Sequence, residues 1–358
     1  METGVSPRYF APELWYLIIE HLAGRTRDLR ACSLISRSPS PVAQALLFRN
    51  IRFQRPSLGF DTNDYDDVAA CRRLADALIN SPHLVSYIHH IVFRLNIEIV
   101  TLLSGVAFPN LREIGLLGDE LTHIDDSVIE LTQSMVGLPT IRRLEFSNFD
   151  SLGALSRLCH HSSPDLNALS FDNCWLGGTA SPFDLAHMVD VDLPHLGKKD
   201  EHFNRILLSS RLTIKRLALC SFSSHVPIVD AENRSVPTLG QFIALTHLEI
   251  RCMDLMDVFY ILQFLSGVKT DNKIQEILFS LDSDINTDIS SNDDAYTRKL
   301  TKAFDAGFVA LPFPALKRVE IREWIPVKQV PPLLSQGVLQ ELLPALNTAG
   351  LLFLSWRY

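Results

Sequence analysis

The sequence predicts an α/β protein: a short N-terminal three-helix module followed by an irregular leucine-rich-repeat solenoid. Three observations predict it. Short amphipathic segments punctuated by Pro and Gly fill residues 10–54, and a six-residue pattern, apolar-x-x-apolar-x-apolar, recurs through the remainder. Most segments between its copies carry helical periodicity. The chain has 358 residues, 47% of them hydrophobic and 21% charged, enough to bury one large domain beside a small one. Its predicted divisions are a tail over 1–9, the helical module over 10–54, a linker with an amphipathic helix over 55–80, and the repeat domain over 81–358.

Taken in order, PELWYLIIEHLAG reads as a helix that opens on Pro12 and ends before Gly24. Leu14, Ile18 and Leu22 share one face at i, i+4 and i+8, which Leu17 and Ile19 widen. A second helix takes Thr26 as its cap and Asp28 in its first turn, with Leu29, Cys32, Leu34 and Ile35 as apolar positions. The third starts at Ser40-Pro41, runs through Val42, Ala45, Leu46 and Phe48, and gives way to the alternating segment from Ile51 to Gln54. Three helices this short need a further surface to pack on.

Beyond an Asp-rich stretch from Asp61 to Asp67, Val68, Cys71, Leu74 and Leu78 mark an amphipathic helix stopped by Asn80-Ser81-Pro82. The repeating pattern then appears at Ile88/Ile91/Phe93, Leu111/Ile114/Leu116, Ile141/Leu144/Phe146, Leu166/Leu169/Phe171, Ile214/Leu217/Leu219, Leu245/Leu248/Ile250, Ile274/Ile277/Phe279 and Leu316/Val319/Ile321. GLLFLSW near the C-terminus reads as an atypical last copy. One strand plus one helix per unit is the expectation, since each unit buries its apolar face only by stacking on the next. A doubly wound α/β domain is the competing architecture, but no Gly-rich phosphate turn supports it.

Strand side chains alternate, so the residues between the apolar positions form columns on the opposite face. The middle column reads Gly115, Glu145, Ser170, Ala218, Glu249, Leu278 and Glu320, flanked by residues that include Arg143, Arg216, Arg251 and Arg322. The candidate target-binding residues are therefore Arg143, Glu145, Arg216, Glu249, Arg251, Glu320 and Arg322. Ordinary cross-strand charge pairing is the competing role for each.

The segments FAPELWYLIIEHL, LRACSLISRS and LLFRNIRF, in that order and spacing, resemble the F-box module of fungal F-box proteins, which commonly carry degenerate leucine-rich repeats. The resemblance implies a substrate-receptor subunit of a cullin-RING ubiquitin ligase. The module would dock a Skp-type adaptor, and through it a cullin, by way of Pro12, Leu14, Ile18, Leu22, Leu29, Cys32 and Leu34. Repeats would hold a target protein of unknown identity. Two positions depart from the family's pattern: Phe10-Ala11 replaces the opening Leu-Pro, and Pro39 stands where a Trp is usual. A repeat scaffold without ligase association is the alternative.

Composition narrows the remaining classes. A formal net charge of -8 argues against nucleic acid as a partner, because phosphate binding needs clustered Lys and Arg. No apolar run approaches a membrane span and no secretory signal is evident, so a membrane partner is not expected. Six scattered cysteines without a C-x-x-C pair suit a reducing compartment, cytoplasmic or nuclear. No HExxH, G-x-S-x-G or GxxxxGK[ST] occurs, so neither a catalytic residue nor a cofactor is expected. His89-His90 and His160-His161 would point to opposite strand faces, and His187, His195 and His202 lack ligand spacing, so a metal site is not expected either. Asp282, Asp284, Asn286, Asp288 and Asp293 mimic an EF-hand loop, but Thr287 replaces its glycine and Asp293 its bidentate Glu. A disordered acidic insertion is the preferred reading there.

Overall fold

The computed structural model describes residues 12–23, 25–35, 40–53, 67–118, 124–149, 152–160, 162–172, 174, 187–193, 207–220, 239–252, 265, 267–282, 302, 305–324, 340–341 and 343–357. Its strands are β1 (Asn50–Arg52), β2 (His90–Arg94), β3 (Glu113–Leu117), β4 (Arg143–Ser147), β5 (Ala168–Asp172), β6 (Asp190–Leu193), β7 (Arg216–Cys220), β8 (His247–Cys252), β9 (Glu276–Asp282), β10 (Arg318–Trp324) and β11 (Leu352–Arg357). The described α-helices are α1 (Pro12–His21), α2 (Thr26–Ile35), α3 (Ser40–Phe48), α4 (Asp67–Asn80), α5 (Ile97–Ser104), α6 (Asp126–Val136), α7 (Leu152–His160) and α8 (Pro344–Thr348). All eleven strands belong to one open sheet, parallel in every described pairing, whose order follows the chain from β1 to β11.

This architecture overturns the expected three-helix F-box-like module joined to an irregular leucine-rich-repeat solenoid. Strand β1 lies inside the residues assigned to the module, yet it is a member of the sheet: Phe53 N donates to Val92 O at 2.9 Å, and His89 N and His90 N both donate to Arg49 O at 3.0 Å. Among the described connections, the segments that link strands are not of one kind. Full helices α5 and α6 follow β2 and β3, whereas a three-residue 3-10 turn, Leu239–Gln241, precedes β8. The six-residue pattern encodes a strand with one buried face and is silent about the connection that follows it. The doubly wound alternative fails as well, because that topology reverses strand order at a switch point and this sheet never reverses.

The chain divides into two compact units, Met1–Glu145 with Arg157–Asp165 and Phe146–Ser156 with Leu166–Tyr358. In the first, Ile88, Ile91, Phe93, Leu111, Ile114, Leu116, Ile141 and Leu144 are completely buried, and α5 buries Ile99, Val100 and Leu103. Asn96 starts α5 by accepting from Glu98 N at 2.8 Å, satisfying a donor that the first helical turn leaves orphaned. In the second, Leu169, Phe171, Val191, Leu193, Leu217, Leu219, Leu248, Ile250, Ile277 and Phe279 form the matching buried face. Each such side chain stabilises the fold by about 1.5 to 3 kcal/mol, which is why the pattern outweighs local propensity.

In each of the eight copies read from the sequence, the second and third apolar positions lie on a strand and the first lies two residues before it. The pattern also occurs at Phe48/Ile51/Phe53, which brackets β1, and at Met188/Val191/Leu193, which runs into β6. The acidic segment with its EF-hand-like spacing lies beyond Asp282, outside the described residues, as do the tail 1–9, Phe10, Ala11, Pro39, His161, His195, His202 and the linker residues 55–66. Among the described residues, no helix is long and apolar enough to cross a membrane.

Candidate functional site

Three places in the fold gather candidate functional side chains. At the N-terminus, α1, α2 and α3 close around their own small core of Ile19, Leu29, Cys32 and Ala43, with Leu22, Val42, Leu46 and Leu47 packed against it. Leu29 and Cys32, expected to contact an adaptor, are thus interior residues, and Leu22 is half-buried beside them. Ile18 and Leu34 are exposed, at 42% and 86%, and Tyr16 and Leu17 join them as large outward apolar side chains. The α1 sequence is apolar on most sides, so periodicity alone did not reveal that Ile19 rather than Ile18 turns inward. Pro12 and Leu14 open α1, and their side-chain surroundings lie outside the described set.

Parallel registers bring the predicted charges into columns on the face opposite the apolar core. Asp192 stands beside Ser170 and Ala218, Ala218 beside Glu249, Glu249 beside Leu278, and Leu278 beside Glu320. All seven expected target-contacting charges are engaged in ion pairs. Arg143 Nε donates to Glu145 Oε1 at 3.1 Å, and Arg216 Nη1 lies 3.9 Å from Asp190 Oδ2. Arg251 donates to Glu249 Oε1 at 2.9 Å and, with both terminal nitrogens, to Asp192. Arg322 Nη2 reaches Glu320 Oε1 at 3.0 Å, and Arg318 Nη2 reaches its other oxygen at 2.8 Å while lying over the Phe353 ring. Such pairing fixes the side chains and leaves a pre-organised mosaic of alternating sign.

Burial shapes the electrostatics of that mosaic. Desolvation pushes the Asp192 carboxyl above its usual range, and the Arg251 guanidinium offsets part of the rise. Glu320 is pushed up by burial, but Ser355, Arg322 and Arg318 outweigh that and hold its carboxyl below the ordinary value. Asp190 and Asp192 were missed in the sequence because β6 was; the Met188/Val191/Leu193 spacing was the available signal.

The third place is a cleft of about 340 Å³ in the first unit, lined in part by Arg49, Asn50, His89, His90, Arg112 and Glu113. His90 opens β2, pairs in register with Glu113 on β3, and is only 7% exposed. Burial lowers its imidazole below the ordinary histidine range, against the pull of Glu145 and Glu113. Gly115 sits two residues along β3, where a Cβ would meet Val92 Cγ2 at 2.8 Å, so only glycine lets that Val side chain lie across the strand. His89 precedes β2, and His90 is gathered with Glu113 of β3 and Glu145 of β4.

Elsewhere Cys32, Cys71, Cys159 and Cys174 are interior thiols. Burial raises Cys71 to about 11, Cys159 to about 12 and Cys174 to about 11, so these three are poor nucleophiles at neutral pH. No protein-family model matches the chain, and no curated protein matches it significantly.

Proposed function

We propose that this chain is a non-enzymatic substrate-receptor subunit of a cullin-RING ubiquitin ligase. Helices α1 to α3 dock a Skp-type adaptor, and the charged face of the parallel sheet holds a target protein. The observation that carries this reading is the combination of a closed core within the three helices and large apolar side chains turned outward on them. Tyr16, Leu17, Ile18 and Leu34 stay exposed although Ile19, Leu29, Cys32 and Ala43 already satisfy the helices' own packing. Large apolar side chains left outside a closed core are the ones available to a partner surface. The resemblance of these segments to an F-box supplies the partner's identity, and a ligase subunit of this type works in the cytoplasm or nucleus.

The protein would contribute proximity alone, raising the effective concentration of target lysines at the transfer site. Capture of the purified chain by a Skp-type adaptor tests the reading, with wild type compared to an Ile18→Asp/Leu34→Asp variant. Both substitutions lie outside the helical core, so the variant keeps its circular dichroism. Loss of two apolar anchors of about 1.5 to 3 kcal/mol each weakens capture more than about tenfold. Absence of capture by folded wild type removes the ligase reading.

A further inference from the structure

We propose that His90, Glu113 and Glu145 form a binding site for a divalent transition-metal ion of the zinc class. The three residues come from β2, β3 and β4, and one ligand atom of each lies within 4.8 Å of the other two. His90 Nε2 is buried and has no hydrogen-bond partner, although its residue is 7% exposed. A buried ring nitrogen left unmatched is costly, on the order of 1 to 3 kcal/mol, unless something occupies the position it faces.

What it faces is Glu145 Oε2, 3.7 Å away, too far for a hydrogen bond and close to what two ligands of one ion require. Bonds of about 2.1 Å in a tetrahedral arrangement place ligand atoms roughly 3.4 Å apart, so small carboxylate rotations close the set. Arg143 Nε holds the other Glu145 oxygen at 3.1 Å, which orients Oε2 toward the imidazole as an outer partner orients a ligand. One imidazole and two carboxylates favour zinc or a neighbouring transition metal over calcium or magnesium, which take all-oxygen shells. His90 and Glu113 also line the cleft, so two of the three ligands border solvent-accessible space.

Calorimetric titration of the metal-stripped full chain with zinc chloride tests the site, beside Glu113→Gln and Glu145→Gln variants of matching shape. Expected is about one zinc ion per wild-type chain and a loss of at least about tenfold in affinity in each variant. A parallel titration with cobalt(II), read by visible absorption, reports the coordination number of the same site. Folded wild type without saturable heat overturns the proposal. So does undiminished zinc binding by both variants, which would place the ion on other side chains such as the cysteines.

Discussion

Arg251 closes on Asp192 across an intervening strand, Nη1 to Oδ1 at 3.2 Å and Nη2 to Oδ2 at 2.9 Å. Strand β7 lies between them, with Ala218 in register with Asp192 and Cys220 in register with Arg251. Adjacent strands are about 4.8 Å apart, so only a long side chain spans β8 to β6. Ser170 adds a hydroxyl donor to Asp192 from the other side.

Removing the guanidinium strands a carboxylate that is mostly out of water. Arg251→Met is expected to lower stability by about 2 kcal/mol, less than a fully buried pair because Arg251 keeps solvent contact. Arg251→Met combined with Asp192→Leu is expected to recover most of that loss. Urea unfolding of the two variants against wild type checks both statements; an additive double variant would deny the coupling.

Glu320 makes stability depend on acid. Its folded carboxyl sits below its unfolded value, so the favourable contribution is complete above about pH 4.5 and disappears as pH falls through the lower folded value. Glu320→Gln removes that part of the slope, and comparing urea midpoints of the two chains between pH 7 and pH 3 measures it. Parallel curves would mean that Arg318, Arg322 and Ser355 do not stabilise the charged form.

Asp305 is 3% exposed and accepts from Ala345 N at 2.7 Å and Leu346 N at 2.9 Å, the free amides that open α8. Asp305→Ala leaves both donors unmatched in the interior, an expected loss of about 2 to 3 kcal/mol. Hydrogen exchange at those two amides is expected to accelerate in step with the shift in the urea midpoint.

Leu29 and Leu34 separate packing from docking within one helix. Leu29→Ala opens a hole in the core of α1 to α3 and is expected to cost about 2 to 5 kcal/mol, whereas Leu34→Ala stays within about 0.5 kcal/mol. Thermal unfolding distinguishes them, and equal shifts would place Leu34 in the interior.

Much of the sheet was legible in the sequence. Period-two burial is a local property, so apolar-x-x-apolar-x-apolar marked the strands, and the residues between predicted the columns that the registers then aligned. Gly115, Glu145, Ser170, Ala218, Glu249, Leu278 and Glu320 required no knowledge of neighbours to be placed on one face. The same rule applied to Phe48/Ile51/Phe53 and Met188/Val191/Leu193 would have found β1 and β6; a preceding helix masked the first, and two aspartates the second.

Tertiary structure alone decided which strand lies beside which, and with that everything depending on non-local partners. An alternating pattern states that a face is buried without stating against what, so a sequential open sheet and a repeat solenoid share it. The approach of His90 to Glu113 and Glu145, and the reach of Arg251 across β7 to Asp192, follow from strand order. In α1 the apolar residues surround the helix, so the inward turn of Ile19 and the outward turn of Ile18 were settled by packing against α2 and α3.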